Sequence, residues 1–510
     1  MSTFRGGVCK LGRRHSKQEI IHGRDGWEYL LFWRSVNVRT LVSLLMFVCV
    51  GFAVLFGEIQ PAYALPIYRV RAIPAFARKY GLPCSACHTA WPELNNFGQV
   101  FRDNGYQLGN DHDSPIFQNP SYFPITIRIT PNWHRESTNH QPVDAIPGNA
   151  SSGLVDGKVI QHGFDLSGID IWAAGTITKD ISFSVLPSSD SSGAFHFENA
   201  YVRFDNLLNN HWLNVKFGKF ELDNLISEKR FLFLSSNGGL YQNHHFVPVG
   251  DANDFGLGVN QLGVELAGHS DNSYRRYGVA VLSSNNGNVT LPSNRSYDTY
   301  LTFSQAFEAG RFGLERLGVY AYIGERPTFS LTSAALSTAA GNTIAIPGTG
   351  SGNKPFYRAG FSGDLFLGEL EFLPFFMHGQ DSAFLATSTP ANLPLPVGAH
   401  AAAWNGGLVE THYYVTQQFV LLHRYEIIRM SQQALPGTPA KLGNIDGYSV
   451  GYRWYPIMFS RAGLAWHNEY SITRTQGAVP LSLDGVGLPP LLPTNGVWSS
   501  SILLGFDFAF

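Results

Sequence analysis

The sequence predicts a mostly β protein: a transmembrane antiparallel β-barrel of about 16 strands behind a small N-terminal α-helical segment. Three observations predict it. Charged residues are 15 % of the 510-residue chain and aromatics 14 %, with 53 glycines, against about 25 % charged residues in a soluble protein. From Phe123 onward the hydrophobic pattern has period two. The chain closes on "ILLGFDFAF", in which Leu504, Phe506, Phe508 and Phe510 alternate up to a terminal phenylalanine. A net charge of −2 gives no electrostatic footing for nucleic acid.

Three segments follow in order. Residues 1–64 read as an N-terminal extension and signal peptide: basic Arg34 and Arg39, an apolar run from Leu41 to Phe56, then the A-x-A pattern of Ala62 and Ala64. The run is shorter than the roughly 20 residues of a spanning helix, so cleavage after Ala64 is expected. Cleavage removes Cys9 and Cys49 and leaves Cys84 and Cys87 as the cysteines of the mature chain.

Residues 65–118 hold both. "CSACH" is C-x-x-C-H, in which two thiols at this spacing each add to a haem vinyl group and the adjacent His88 reaches the iron. A redox disulfide expects a thioredoxin-like βαβ context, and structural zinc a second ligand pair; neither is present in the sequence. The motif therefore predicts one covalently bound haem c on Cys84 and Cys87, with His88 as axial ligand. "IPAFARKYG" reads as a short helix, with Phe76 and Tyr80 at i and i+4 and Gly81 as terminator. "WPELNNFGQVFRDNG" reads as a second, from Pro92 to Gly105, with Leu94, Phe97 and Phe101 on a stripe suited to cover the porphyrin. No methionine lies near the motif. His112, the nearest histidine, is the candidate distal ligand, although its acidic neighbours also suit a solvated loop.

Residues 119–510 read as the barrel. "ITIRIT", "ENAYVRFD", "NQLGVELAG" and "GYSVGYRWYP" each set apolar against polar positions. Short turns at 178–180 and 269–273 contrast with long connections at 326–355, 381–408 and 474–498, the two unlike ends of an outer-membrane barrel. Tyr448, Trp454, Tyr455 and Trp466 suit an aromatic girdle. A barrel this wide has a polar lumen in which the small segment can sit as a plug, with Arg203, Lys216, Lys219 and Arg453 available to haem propionates.

The stretch "PAFARKYGLPCSACHTAWPELNNFGQVFRDNGYQ", followed by a porin-like barrel, resembles the fused monohaem cytochrome–porin family of outer-membrane proteins. The close match spans about residues 75 to 108. The resemblance implies a Gram-negative outer-membrane electron conduit. It would oxidise extracellular Fe(II) at or near the outer surface and pass electrons to a periplasmic carrier, a soluble cytochrome c or copper protein. A porin-type channel with the haem segment as plug or redox sensor is the alternative, and a soluble periplasmic cytochrome with a β-rich binding domain a third.

Overall fold

The computed structural model describes residues 75–108, 124–189, 193–224, 231–233, 257–258, 260–283, 297–327, 331–337, 343–347, 353–387, 389, 393–432, 444–458, 462–476 and 497–510. The signal peptide, both outer segment boundaries and His112 lie outside them.

Sixteen strands close into one antiparallel barrel. They begin with β1 (Ile125–Asp144), β2 (Leu154–Thr178), β3 (Ile181–Ser189), β4 (Phe195–Phe204) and β5 (Asn214–Phe220). Next come β6 (Gln261–His269), β7 (Arg275–Leu282), β8 (Asp298–Glu308) and β9 (Leu314–Pro327). A separate hairpin, β10 (Leu331–Ser337) and β11 (Thr343–Pro347), interrupts the series. The barrel resumes with β12 (Asn353–Leu367), β13 (Leu370–Asp381), β14 (Ala402–Thr416) and β15 (Phe419–Gln432). It ends with β16 (Asn444–Met458), β17 (Gly463–Gln476) and β18 (Val497–Ala509). Each strand pairs with its neighbours in sequence, β9 with β12 across the hairpin, and β1 with β18 from Arg128↔Ala509 to Thr138↔Ser499. The predicted closing strand is thus the partner that seals the barrel and leaves no open edge.

The period-two pattern has the inverse of a soluble protein's polarity. Val202, Phe204, Val264, Leu504 and Phe506 face outward and are 37–42 % exposed. The alternate positions Asn199, Arg203, Glu265 and Asp507 are buried toward the lumen. An apolar exterior over a polar interior is the arrangement of a barrel whose solvent outside is hydrocarbon.

Antiparallel strands place successive connections at alternate ends. One end has the links 179–180, 205–213, 270–274, 309–313, 368–369, 417–418 and 459–462. The other carries 221–260, 328–352, 382–401 and 477–496. The long connections predicted at 326–355 and 474–498 fall there. The one predicted at 381–408 is shorter, because Ala402 already pairs with Asp381. The connection 221–260 is long without having been expected. Ile125 and Phe510 both sit at the short-link end.

The lumen is less polar than the sequence predicts. Phe220, Tyr300, Tyr320, Tyr322, Phe356, Phe375 and Met377 point inward and form a buried apolar cluster with Leu222, Phe231 and Leu257 of the long connection. Rings stack within it, Tyr320 on Phe375 at 5.3 Å and Tyr322 on Phe356 at 5.9 Å between centroids.

Candidate functional site

The C-x-x-C-H segment folds as a plug at the short-link end. Helix α1 (Ala75–Tyr80) stops at Gly81, whose φ of +68° lies in the left-handed region that glycine tolerates. A single turn, Cys84–Ala86, follows, in which the Cys87 and His88 amides donate to the Cys84 carbonyl at 3.2 and 3.0 Å. Helix α2 (Asn96–Asp103) begins later than predicted. The reason is Asn95. Its side chain accepts from the Gly98 amide at 3.0 Å as N-cap and donates to the Ala86 carbonyl at 3.1 Å. Residues 89–94 form a turn instead, closed by a His88↔Leu94 bridge.

Asn95 and Gly98 press α2 against the motif. A Cβ on Gly98 would lie 2.2 Å from the Cys87 carbonyl oxygen and 2.9 Å from Leu94 Cδ2. Phe101 packs edge-on against Phe76 at 4.9 Å and Tyr80 at 5.7 Å, and Phe76 stacks on Tyr106 at 5.3 Å. The predicted porphyrin-facing stripe is therefore divided. Phe101 belongs to this aromatic cluster, while Phe97 remains 45 % exposed.

Neither cysteine is in a disulfide. Burial raises the pKa of Cys84, and burial with the neighbouring Cys84 pushes Cys87 up to about 11. Neither has the lowered pKa of a redox-active dithiol. His88 Nδ1 lies 3.1 Å from the carbonyl oxygens of Pro92 and Glu93, so it carries the proton and donates to them. Nε2 is left as the lone-pair nitrogen. Burial, partly offset by those two carbonyls, pushes the imidazole down to about 4 and keeps it neutral at ordinary pH. A neutral imidazole with its second nitrogen anchored is the form that ligates a metal.

Inward side chains of the wall hold the plug. Arg276 Nε donates to Asp103 Oδ2 at 2.9 Å, and Arg203 Nη2 donates to the Arg102 and Asp103 carbonyls at 3.0 and 2.9 Å. Burial would raise the Asp103 pKa, but Arg276, with His269 and Arg102, holds the carboxyl well below its usual range. Gln107 reaches the Lys179 carbonyl at 2.8 Å, and Tyr106 shares a 2.7 Å hydrogen bond with Tyr201. Arg453 Nη1 and Tyr455 Oη donate to the Trp91 carbonyl at 3.2 and 2.9 Å. Tyr455 is thus buried in the lumen and is not a girdle residue, whereas Tyr448 faces outward at 44 % exposure. Of the four cations predicted for propionates, Arg203 and Arg453 grip plug carbonyls, and Lys216 pairs with Glu265.

The fold adds residues that the sequence does not bring to notice. Cys84 and Trp91 share a cavity with Tyr455, Met458, Leu464 and Ala509. A thioether absent from the local sequence is therefore next to the motif in space. On another side, Glu93 of the plug meets Glu371 and His412 of the wall, all three buried, with one ligand atom from each within 4.8 Å of the others. The donor set suits a covalent haem: two thiols in no disulfide at the required spacing, and an oriented neutral histidine, with Phe97 exposed nearby in the chain.

Fold and site together define a closed sixteen-stranded antiparallel barrel carrying a C-x-x-C-H plug. The structure is similar to a loop-deletion variant of OmpT, an outer-membrane protein of Vibrio cholerae, at 13 % identity and TM-score 0.43 over 76 % of this chain and 100 % of that one. It is similar to an anion-selective porin from Comamonas acidovorans at 10 % identity and TM-score 0.45, covering 76 % and 99 %. For the outer-membrane channel DcaP of Acinetobacter baumannii the values are 10 %, 0.41, 74 % and 96 %. No function follows from likeness at this level. No family model matches the chain, and no curated protein matches it.

Proposed function

We propose that the chain is an electron conduit of the Gram-negative outer membrane, with one haem c attached to Cys84 and Cys87 and ligated by His88. The observation that carries this reading is the geometry of the motif: two thiols in no disulfide beside a histidine whose Nδ1 is tied to two carbonyls, leaving Nε2 for iron. The outward apolar face supports a membrane location. When bound, the haem supplies one-electron transfer between an extracellular donor, proposed to be Fe(II), and a periplasmic carrier. The protein's part is to hold the group rigidly, limit its access to water and fix its axial ligands. His112 is the candidate for a second ligand read from the sequence, and Met458, which lines a cavity with Cys84, is a second candidate.

A porin-type channel is the second reading, favoured by the closed sixteen-strand architecture itself. Arg203, Arg276 and Arg453 gripping the plug, and the apolar cluster in the lumen, favour the conduit. The deciding experiment expresses the chain in a host that matures c-type haem and adds Fe(II) to outer-membrane fractions. Reduction of the haem, with small ionic conductance in planar bilayers, is the expected result. Covalent haem retained in a Cys84→Ala, Cys87→Ala double variant refutes the attachment, and failure of Fe(II) to reduce the haem refutes the donor.

A further inference from the structure

We propose that Glu93, Glu371 and His412 form a binding site for a divalent first-row transition ion, built between plug and wall and separate from the thiols. Glu371 lies near the start of β13 and His412 near the end of β14, paired across the sheet as Glu371↔His412. His412 Nδ1 is 2.8 Å from Glu371 Oε2 and 3.4 Å from Glu93 Oε2. Tyr414 Oη donates to the same two oxygens at 2.7 and 3.3 Å. Two carboxylates from different parts of the molecule thus converge on one imidazole nitrogen.

Two further observations point to a cation. Glu371 Oε1 is buried and accepts no hydrogen bond, which is costly for a carboxylate oxygen shut away from water. The outer partners of a metal-bound histidine are also present. His412 Nε2 is 2.8 Å from Glu410 Oε1, and Glu410 Oε2 is held by Arg424 Nε at 2.6 Å. A carboxylate on the far nitrogen fixes the tautomer that offers Nδ1 to a metal and raises its basicity. On binding, the ion takes the place of the proton that His412 Nδ1 now shares with Glu371, and that proton leaves to solvent. Two carboxylates and one imidazole suit Fe(II), Mn(II) or Zn(II) better than Ca(II) or a soft ion.

The site does not depend on the haem reading, although the Glu93 backbone carbonyl is one of the two groups that orient His88. The test uses the full chain in detergent, with barrel folding read by heat-modifiable gel migration. Mn(II) and anaerobic Fe(II) are titrated by calorimetry, bound metal is counted by mass spectrometry, and Mn(II) is examined by electron paramagnetic resonance for nitrogen coupling. One ion per chain with a nitrogen ligand is expected. Glu371→Gln and His412→Gln lose it, Glu410→Gln weakens it by about 10–100-fold, and the exposed Glu308→Gln leaves it intact. The Cys84→Ala, Cys87→Ala variant keeps the ion, so failure of this site and failure of haem attachment are read separately. A folded wild-type chain that binds neither ion, or Glu371→Gln and His412→Gln variants that bind as well as wild type, overturns the proposal.

Discussion

Gly98 shows how much of the site depends on single atoms. Its missing side chain lets α2 lie on the Cys87 carbonyl, and no rotamer relieves a Cβ placed 2.2 Å from that oxygen. Gly98→Ala is expected to separate the helix from the motif at a cost of about 1–3 kcal/mol. Haem-stained gels should show reduced covalent attachment while heat-modifiable migration of the barrel is unchanged. Met458 is the second residue with a distinct signature. In the haem-loaded protein, Met458→Ala is expected to lower the redox potential and remove any thioether–iron absorption band, read by spectroelectrochemistry. Cys84, Cys87 and His88 stand out in the sequence because the chemistry proposed for them needs only a local spacing. Met458 does not, since β16 reaches Cys84 only through closure of the barrel.

The plug is an element too small to hold itself together, and its docking is electrostatic as much as apolar. Asp103 and Arg276 are each 9 % exposed at the side chain and pair at 2.9 Å. Removing one member of such a pair leaves the other charge stranded, at about 3–5 kcal/mol. Asp103→Asn is therefore expected to loosen residues 75–108, seen as faster hydrogen exchange by mass spectrometry. The sign of the pH effect follows from the depressed pKa of Asp103. Its contribution is full above the ordinary carboxylate range, begins to decline below about pH 4, and is lost only as pH falls through the depressed value. Wild type and Asp103→Asn should accordingly differ most near neutrality and converge in strong acid. The predicted end of α2 was close, since Gly105 takes the left-handed conformation, with φ +76°. Its start was misjudged because a proline early in an apolar-periodic run resembles a first helical turn, and only the Asn95 contacts reveal the cap.

The molecule as a whole was read correctly wherever its two faces differ in polarity, as in β4, β6 and β16. It was misread where both faces are apolar. In β13, "LEFLPFFMHGQD", Phe372 and Phe376 are partly exposed, while Leu373, Phe375 and Met377 are buried in the lumen. Alternation cannot separate membrane-facing from core-facing positions there. Hence the apolar interior was missed, and so was the part played by the connection 221–260. Polarity also predicts how the outside responds to charge. Val319 is outward on β9 and 56 % exposed. Val319→Arg is expected to destabilise the barrel in lipid vesicles by up to about 2–4 kcal/mol, depending on depth, as measured by urea unfolding. In detergent, where the belt adapts, the loss should be smaller.

The seam between the first and last strands is also where the plug is seated. Arg128 of β1 makes paired 2.8 Å hydrogen bonds to Asp507 of β18, and its guanidinium lies 5.3 Å from the centre of the Trp91 ring. Arg453, which shares Asp507, holds the Trp91 carbonyl. The final lock of the cylinder thus has the plug as one of its parts. The join between the first and last strands is therefore complete only with residues 75–108 inside the lumen. Without the plug, Arg128 and Arg453 would still hold Asp507 but would lose the ring and the carbonyl of Trp91, so the seam gives the plug a fixed seat in the wall.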